Sequence, residues 1–367
     1  MIYKPYGKLG FDISAIAFGG MRFDIGTDGN IEKNAEIVHY AFDKGITYFD
    51  TAPGYCEDYS EKIYGAAFKS MKRSDFVVST KCGLWNAANA DEAVERIKKS
   101  LDFMNLEYID IYNLWCLKNM DEYAAFMKKD GIYEGVLRAK EQGLIKNISL
   151  TAHMSGEDVA KMAQTELFEG ITLGYNALNF AYRQDGVDVC IDKNMAVVTM
   201  NPLGGGIIPQ KAERFGFINS GSGDSVVVAA LKFIIAQRGI TAALVGFNNT
   251  AEIDEAVLAT ENLYEMTPEL LAEKRSHLQN GMNALCTGCG YCDECPTGVK
   301  IPELMDSYNQ YILMDDKQEI FNRMKFHWDF DSSNAHKCIQ CGQCEPLCTQ
   351  KLPIMERIQE IIAFEAK

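Results

Sequence analysis

The sequence lacks any apolar run long enough to cross a bilayer, and its first residues, Met1 to Lys8, contain no apolar signal core. Positive charge is also scarce, since 36 Lys and Arg stand against 51 Asp and Glu, for a formal net charge of −15. That balance argues against nucleic acid or an anionic membrane surface as a partner. We therefore predict a cytoplasmic protein that has neither a nucleic-acid nor a membrane partner.

Cysteine, in contrast, is abundant and concentrated near the C-terminus. Of the 12 cysteines, eight fall in two runs that span residues 286–295 and 338–348. Each run places three cysteines at two-residue gaps and adds a fourth shortly after. Three thiolates so close together on a glycine-containing loop can wrap one cube of iron and sulfide, and the fourth ligand usually comes from the other run. The spacing predicts two [4Fe–4S] clusters, one bound by Cys286, Cys289, Cys292 and Cys348 and the other by Cys338, Cys341, Cys344 and Cys295.

Structural zinc and disulfide bonds are the alternatives for the same cysteines. Zinc modules use paired CxxC knuckles and rarely need a third cysteine at the same step. Disulfides need an oxidising compartment, whereas this cysteine content indicates the reducing, oxygen-poor cytoplasm of an anaerobe. The first run departs from the bacterial ferredoxin pattern at one point, because two residues rather than three precede its fourth cysteine, Cys295.

The first two-thirds of the chain alternates short apolar runs with longer amphipathic stretches such as Asn34–Lys44 and Ala90–Met104. Eight such strand–helix units over roughly 250 residues predict an α/β fold, a (β/α)8 TIM barrel, whose chemistry lies at the C-terminal ends of the strands. A doubly wound open sheet is the alternative, but the GxGxxG that it needs after its first strand is missing. The predicted strands are Ile13–Gly20, Tyr48–Ala52, Phe76–Cys82, Ile109–Trp115, Ile148–His153, Ile171–Tyr175, Ala196–Asn201 and Ala242–Gly246.

A chain of 367 residues is long enough for one large domain and a small one. We predict a barrel over residues 1–266, a linker helix over 267–284 that Thr267 and Pro268 open, and a ferredoxin-type domain over 285–367. That last domain is expected to be small, mainly helical and docked on the barrel. Its helical patterns lie at Pro302–Leu313, Lys317–Lys325 and Ile354–Phe364.

Polar side chains follow the second and third predicted strands. Asp50 and Tyr55 come after the second strand, and Lys81 comes at the end of the third. Taken singly, helix capping or packing explains each of them. Together they form a chemical unit, because a Lys beside a Tyr hydroxyl lowers the phenol pKa below its usual value of about 10, and a carboxylate keeps that Lys charged. A tyrosine tuned in this way donates a proton to a developing alkoxide near neutral pH.

With these residues the chain resembles the aldo-keto reductases, and with its cysteine runs it resembles their iron–sulfur branch. The resemblance extends from Leu9 to about residue 263. It implies an oxidoreductase that reduces a carbonyl or an activated double bond of a small molecule, with Asp50, Tyr55 and Lys81 in catalytic positions and Tyr55 as the proton donor. The segments that carry it are Phe18–Met21, Gly45–Ala52, Tyr59–Gly65, Ile109–Leu114 and Met200–Gly206.

The family's fourth catalytic position, a His at the end of the fourth strand, is here Trp115. An indole N–H donates one hydrogen bond but cannot carry a proton back and forth. We expect Trp115 to line the substrate pocket with Met21, either stacking on a flat substrate or forming an apolar wall, with plain packing as the alternative. His153, at the end of the fifth strand, is the candidate for the missing polar group, and a structural hydrogen bond is its alternative role.

A glycine triplet follows the seventh strand and would let backbone N–H groups meet a pyrophosphate. After the eighth strand no Lys or Arg is present to hold the 2′-phosphate of NADP, and Glu252 would repel it. NADH is therefore at least as suitable as NADPH. The residues assigned to the nicotinamide cofactor are Asn176, Pro202, Leu203, Gly204, Gly205, Gly206, Gly246 and Asn248.

Two other functions fit the same sequence. The first is an electron-transfer protein that uses the barrel as a docking scaffold and has a ferredoxin or flavodoxin as its partner, since clusters pass electrons singly. The second is a non-redox lyase or isomerase that uses Tyr55 and Lys81.

Two further cysteines, Cys82 and Cys116, each follow an inferred site residue directly. Strand alternation therefore predicts that both turn away from the site, toward the helices. There each would act as a small apolar side chain.

Overall fold

The computed structural model describes residues 1–117, 119–219, 223–278, 285–286, 290, 292–326, 328, 330–348 and 352–365. The chain forms two compact units. The barrel unit consists of Met1–Ala177, Arg183–Gln210 and Ile218–Thr267, and the C-terminal unit consists of Leu178–Tyr182, Lys211–Phe217 and Pro268–Lys367. Within the described ranges, no helix is both long and apolar enough to cross a membrane.

The barrel unit begins with an antiparallel hairpin of β1 (Tyr3–Pro5) and β2 (Asp12–Ser14). In the described residues eight parallel strands follow and close into a barrel, each pairing with the next in the chain and the last pairing with the first. This confirms the predicted (β/α)8 TIM barrel. The strands are β3 (Ile16–Gly19), β4 (Tyr48–Asp50), β5 (Val77–Cys82), β6 (Ile109–Leu117), β7 (Ile145–Ala152), β8 (Gly170–Gly174), β9 (Ala196–Met200) and β10 (Ile240–Val245).

Helices connect these strands, and α3 (Ala90–Met104) shows how an amphipathic sequence forms one of them. Its N-cap residue Asn89 accepts a hydrogen bond from the backbone N–H of Glu92, and its buried side includes Ala93, Ile97 and Leu101. The bounds of α3 are those predicted. The other helices up to Leu258 are α1 (Ile31–Asp43), α2 (Tyr59–Phe68), α4 (Met120–Phe126), α5 (Ile132–Glu141), α6 (Gly156–Ala163), α7 (Phe180–Asp192), α8 (Ile207–Gln210), α9 (Val226–Ile235) and α10 (Thr250–Leu258).

The N-terminal end of the barrel is filled by apolar side chains. Tyr6, from the hairpin, is 1% exposed and packs with Tyr48, Ile111 and Val198. Its hydroxyl lies 3.1 Å from Ser149 Oγ. Because this end is a packed core, polar chemistry is left to the opposite end, where the strands finish.

In its described residues the C-terminal unit contains helices joined by irregular segments, and no strand. Its helices are α11 (Pro268–His277), α12 (Ile301–Met314), α13 (Gln318–Phe326), α14 (Cys344–Leu347) and α15 (Ile354–Glu365), with a 3-10 helix at Ser332–Lys337. Leu304, Met305, Ile320 and Ile358 are at most 1% exposed and form part of its core. The helical patterns read from the sequence therefore correspond to α12, α13 and α15. Of the predicted linker helix, residues 279–284 lie outside the described residues.

Candidate active site and cysteine sites

Asp50 and Lys81 meet at the C-terminal end of the barrel. They lie on neighbouring strands, β4 and β5, whose parallel pairing brings their ends to the same edge. Lys81 Nζ is 2.6 Å from Asp50 Oδ1, and both side chains are 3% exposed. The same ammonium donates to the carbonyl of Thr51 at 2.7 Å. The ion pair is therefore buried, and these contacts leave it little freedom to move.

The second oxygen of Asp50 is held by residues that the sequence analysis did not identify. Ser79 Oγ donates to Asp50 Oδ2 at 2.8 Å, and Asn113 Nδ2 donates to Ser79 Oγ at 2.8 Å. Ser79 and Asn113 are fully buried. The signal was available, because Ser79 lies two residues before Lys81 and so shares its face of the strand. The carboxylate is thus fixed across β4, β5 and β6.

Tyr55 lies beside this pair, with Lys81 Nζ 5.0 Å from the centroid of its ring. Burial raises the pKa of the Tyr55 phenol, and the charge and hydrogen bond of Lys81 oppose that rise without cancelling it. The expected pKa below the ordinary tyrosine value is therefore wrong, because desolvation outweighs the lysine. Tyr55 holds its proton at neutral pH, as a proton donor must.

Lys81 remains an ammonium in spite of its burial. Burial lowers the pKa of Lys81, but the charge of Asp50, with Tyr55 and the hydrogen bonds, raises it by more. A positive charge is therefore fixed beside the phenol of Tyr55.

The loop after Tyr55 has an unusual backbone. Cys56, Glu57 and Asp58 have φ values of 52, 54 and 67°, a left-handed region that costs energy for residues other than glycine. Asp58 Oδ1 accepts a hydrogen bond from the backbone N–H of Gly54 at 2.7 Å. The backbone N–H of Ser60 donates to the carbonyl of Tyr55 at 3.2 Å. These bonds hold the strained turn on both sides of the tyrosine.

Three aromatic rings stand together at this end of the barrel. The Trp115 ring lies 5.5 Å from that of Tyr55 at 85° and 4.9 Å from that of Trp85. Trp85, on the loop after β5, is 61% exposed, and Met21, just after β3, is 57% exposed. Trp85 was not predicted as a site residue, although it follows Lys81 by four residues on a loop at the C-terminal end of the barrel. Trp115 is therefore part of an open aromatic surface that includes Tyr55.

His153 directly follows β7. Its backbone N–H donates to the carbonyl of Leu117 at 2.8 Å, and its carbonyl accepts from Arg183 Nη2 at 3.3 Å. Arg183 is 1% exposed and also donates to the carbonyls of Met154 and Gly174. These contacts fix the backbone at His153, and its predicted place in the substrate pocket stays a prediction.

The two cysteines that follow site residues behave differently. Cys82 is fully buried, as predicted, and burial raises the pKa of its thiol to about 12. Cys116 is only partly buried, has a φ of 66°, and lies where the pairing of β6 with β7 shifts register. The expected alternation fails there because the extra residue of a bulge breaks the two-residue period. Cys116 instead lies within electrostatic range of the Tyr55 phenol.

The glycine triplet predicted to meet a pyrophosphate forms a 3-10 helix after β9. Gly204, Gly205 and Gly206 have φ values of 63, 69 and 94°, which glycine adopts without strain. Asn176, at the end of β8, is 1% exposed and donates through Nδ2 to the carbonyl of Asn201 at 2.8 Å. The loops after β8 and β9 are thus joined by a hydrogen bond, with Pro202 and Leu203 between Asn201 and the glycines.

The loop after β10 contains Gly246 and Asn248. A Cβ atom on Gly246 would come within 2.9 Å of the Cβ and Cγ atoms of Arg22, so glycine allows this basic side chain to approach. Arg22 was missed because it comes from the loop after β3, far away in sequence. The backbone N–H of Asn248 donates to Glu252 Oε2 at 2.8 Å, and Asn249 caps α10 by accepting from the N–H of Glu252 at 3.0 Å. A carboxylate therefore already occupies the N-terminus of α10.

Five of the eight run cysteines line one cavity in the C-terminal unit. The cavity has about 410 Å³ of empty space, part of it open to solvent, and the cysteines in its wall are Cys292, Cys295, Cys338, Cys341 and Cys344. All of them except Cys292 are the ligands predicted for one cluster. Burial raises the pKa of the Cys295 thiol, but the Thr297 hydroxyl and the N–H groups of residues 297–299 lower it by more. Such donors favour a thiolate.

The described cysteines of the other predicted set are less exposed. Cys292 and Cys348 are 7% and 9% exposed in the core of the unit, and Cys286 packs against the same core. Asn309 fixes Cys286, because its Oδ1 accepts from the backbone N–H at 2.7 Å and its Nδ2 donates to the carbonyl at 2.8 Å. Cys289 lies outside the described residues.

Residues 15–278 match the model of the family described as the aldo/keto reductase family. The chain belongs to the aldo-keto reductases. Residues 285–353 of this aldo-keto reductase match a 4Fe-4S dicluster domain. It is therefore an oxidoreductase with an iron–sulfur domain, as predicted.

Relatives of this aldo-keto reductase span most of its barrel. L-galactose dehydrogenase of Arabidopsis thaliana is 26% identical over 309 residues, which cover 75% of this chain and 94% of the relative. L-glyceraldehyde 3-phosphate reductase of Escherichia coli (strain K12) is 24% identical over 333 residues, covering 77% and 93%. NADH-specific methylglyoxal reductase of the same strain is 25% identical over 226 residues, covering 56% and 68%. An aldo-keto reductase from Bacillus halodurans, solved in its holo form, shares the fold with a TM-score of 0.63 at 20% identity, covering 76% of this chain and 96% of its own.

The cysteines of this aldo-keto reductase fit the iron–sulfur clusters that its dicluster domain implies. Cysteine thiolates are the ligands of such clusters, and the cavity brings cysteines of both runs together.

Proposed function

We propose that this aldo-keto reductase reduces a carbonyl or an activated double bond of a small, flat molecule, with Tyr55 as the proton donor. The observation that carries the proposal is the Lys81–Asp50 pair, 2.6 Å apart and almost completely buried, beside the phenol of Tyr55. The two electrons would come either as a hydride from a bound nicotinamide or one at a time from the clusters. The protein's own part is to protonate the oxygen or carbon on which negative charge develops.

Each residue of the site has a separate task in that step. Tyr55 carries the proton because burial raises the pKa of its phenol. The fixed ammonium of Lys81 stabilises the phenolate that remains when the proton has left. Asp50 keeps Lys81 charged and in place, and is itself oriented by Ser79. Positioning of this kind requires no rearrangement of the site at the moment of proton transfer.

The aromatic surface supports a flat substrate. Trp115 cannot return a proton as the family His would, but with Tyr55 and Trp85 it offers ring faces and edges at 4.9–5.5 Å spacing. A direct test is anaerobic turnover of planar aldehydes, ketones and enones with NADH, compared with aliphatic carbonyl compounds of similar size. Turnover confined to non-planar compounds would contradict the assignment.

An electron-transfer function is the second candidate, and the dicluster domain is the observation that favours it. Carbonyl turnover and electron exchange, measured on the same protein, separate the two candidates. The electron-transfer function predicts rapid electron exchange between the reduced protein and a ferredoxin or flavodoxin, with no response of the clusters to either nicotinamide nucleotide and no turnover of any carbonyl. Product formation without net electron uptake would indicate a lyase or isomerase instead.

We expect NADH to be used in preference to NADPH. Glu252 presents its carboxylate at the N-terminus of α10, where it would repel a 2′-phosphate, and one of the relatives is described as NADH-specific. Replacing Glu252 by Gln should raise kcat/KM for NADPH by roughly 2- to 5-fold, as one charge at a helix terminus is worth about 0.3–1 kcal/mol. Steady-state kinetics with both nucleotides would measure this.

The control for the Glu252 variant is Glu261→Gln, which removes an exposed carboxylate beyond the end of α10. It should leave the ratio of the two kcat/KM values unchanged. A wild-type preference for NADPH would show that this loop does not select the nucleotide.

Replacing Cys295 by Ser should remove one of the two clusters. Cys295 lines the same cavity as three cysteines of the second run, so its loss leaves that cube without its fourth thiolate. Iron analysis of anaerobically purified protein should fall from about eight to about four atoms per chain. Cys190→Ala, at a fully buried cysteine of the barrel unit, is the control and should retain all the iron. Unchanged iron in the Cys295 variant would exclude it as a ligand.

A further inference from the structure

Arg357, on α15, is a buried charge in the C-terminal unit. It is 4% exposed, and its guanidinium carbon lies 4.8 Å from the centroid of the Tyr308 ring on α12. Within the described part of the chain, its Nη1 atom is buried without a hydrogen-bond partner. Arginine is almost never fully buried unless it is paired, and an unsatisfied buried donor is costly. A bound anion beside Arg357 would satisfy this buried donor.

The groups around Arg357 indicate where that anion belongs. Burial lowers the pKa of Arg357, and the ionisable side chains of Tyr308, Cys286, Cys348 and Glu360, which lie within electrostatic range of it, oppose that change. The Tyr308 hydroxyl donates a hydrogen bond to the Glu360 carboxylate. The two cysteines belong to the same predicted cluster site. Arg357 is thus within electrostatic reach of two thiolates that would hold one cube.

We propose that Arg357 is the buried counter-charge of the cluster held by Cys286, Cys292 and Cys348, and that it makes this cluster easier to reduce. The inference rests on the proposed pair of clusters. A cube with four thiolate ligands is an anion, and reduction adds a further negative charge. A fixed guanidinium close by therefore stabilises the reduced form more than the oxidised form.

The second cysteine site has a different electrostatic environment. The described residues that line its cavity include no Lys or Arg. Cys341 is exposed there, and Ile339 beside it is 65% exposed. Among those described lining residues there is no buried counter-charge of this kind. A substitution of Arg357 should therefore leave the reduction potential of that cluster unchanged.

The test is a redox titration of wild-type, Arg357→Gln and Arg357→Lys proteins, followed by electron paramagnetic resonance. In Arg357→Gln the midpoint potential of one cluster should move to more negative values, while that of the other cluster stays where it is. Arg357→Lys keeps the positive charge and should return the potential toward the wild-type value. Iron content is measured in every sample, so that potentials are compared only between fully loaded proteins.

A matched control is Arg323→Gln in the same unit. Arg323 is already paired with Asp306 at 2.8 Å and is 30% exposed, so both potentials should stay at their wild-type values. Unchanged potentials in Arg357→Gln, or equal shifts of both clusters, would overturn the inference. If Arg357→Gln loses a cluster, retention of both by Arg357→Lys supports the counter-charge, and loss in both variants overturns it.

The wild-type protein separates this inference from the proposed function. A wild-type chain with one cluster would overturn the proposed pair of clusters and this inference with it. A wild-type chain with two clusters, active as a reductase but insensitive to Arg357, would overturn the inference alone.

Discussion

Replacing Tyr55 by Phe is expected to reduce turnover by about 10²- to 10⁴-fold, the usual contribution of a general acid. The substitution removes only the hydroxyl, so the ring contacts with Trp115 at 5.5 Å and with Lys81 at 5.0 Å can persist. The melting temperature and the iron content should stay at their wild-type values. Anaerobic turnover measurements, with iron analysis of the same samples, would check all three expectations.

Tyr123→Phe provides the matched control, because its ring packs 6.4 Å from that of Phe168, away from the proposed site. It should turn over at the wild-type rate. If Tyr55→Phe keeps wild-type activity, Tyr55 is not the proton donor, and the lyase and electron-transfer functions would have to be tested in its place. If activity and iron are lost together, the variant has damaged the fold, and the kinetic result says nothing about the proton.

Replacing Lys81 by Met is expected to lower both activity and stability. The change leaves Asp50 as an uncompensated buried charge, and breaking one side of a buried pair typically costs about 3–5 kcal/mol. It also removes the ammonium that opposes the effect of burial on the pKa of the Tyr55 phenol, so that pKa should rise further. Urea unfolding followed by circular dichroism would measure the loss of stability.

The double variant Asp50→Asn, Lys81→Met tests the reason for that loss. Because it removes both charges, it should recover much of the stability that Lys81→Met loses, while activity stays low. Lys161→Met is the surface control, since its partners Glu157 and Asp158 lie at 2.8 and 3.2 Å but Lys161 is 51% exposed. Its unfolding midpoint should not move. Equal stability of Lys81→Met and the wild type would mean that the pair does not hold the site together.

The direction in which pH changes the free energy of unfolding follows from the Lys81–Asp50 pair. The pKa of Lys81 is raised in the folded protein, so the stability contributed by its charge is complete below the ordinary lysine value of 10.5. That contribution is lost only as pH rises through the higher value of the folded state. The stability difference between the wild type and Lys81→Met should therefore be constant across neutral pH.

The strands, the cysteine runs and some of the candidate site residues could be predicted from the sequence, because they depend on periodic or local patterns. The eight strands were predicted because apolar runs alternate with helical patterns, and Asp50 and Lys81 were noticed because they stand where such runs end. The cysteine spacing is also a short-range pattern, and it indicated the iron–sulfur domain without any knowledge of the fold. In each case the information lies within about fifteen residues of chain, which is the range over which secondary structure is specified.

The tertiary structure decided the features that depend on distant neighbours. Desolvation around Tyr55 reversed the expected direction of its pKa, and a bulge in β6 brought Cys116 within electrostatic reach of that phenol. Arg22 reached Gly246 from another loop, and Arg357 on α15 came within electrostatic range of Cys286, which lies outside the helices. The desolvation of a side chain and the electrostatic potential at that side chain depend on every residue that packs around it. Residue types and their spacing therefore establish which groups are present and on which elements they lie, whereas the packing of distant segments sets which of them meet and with what energy.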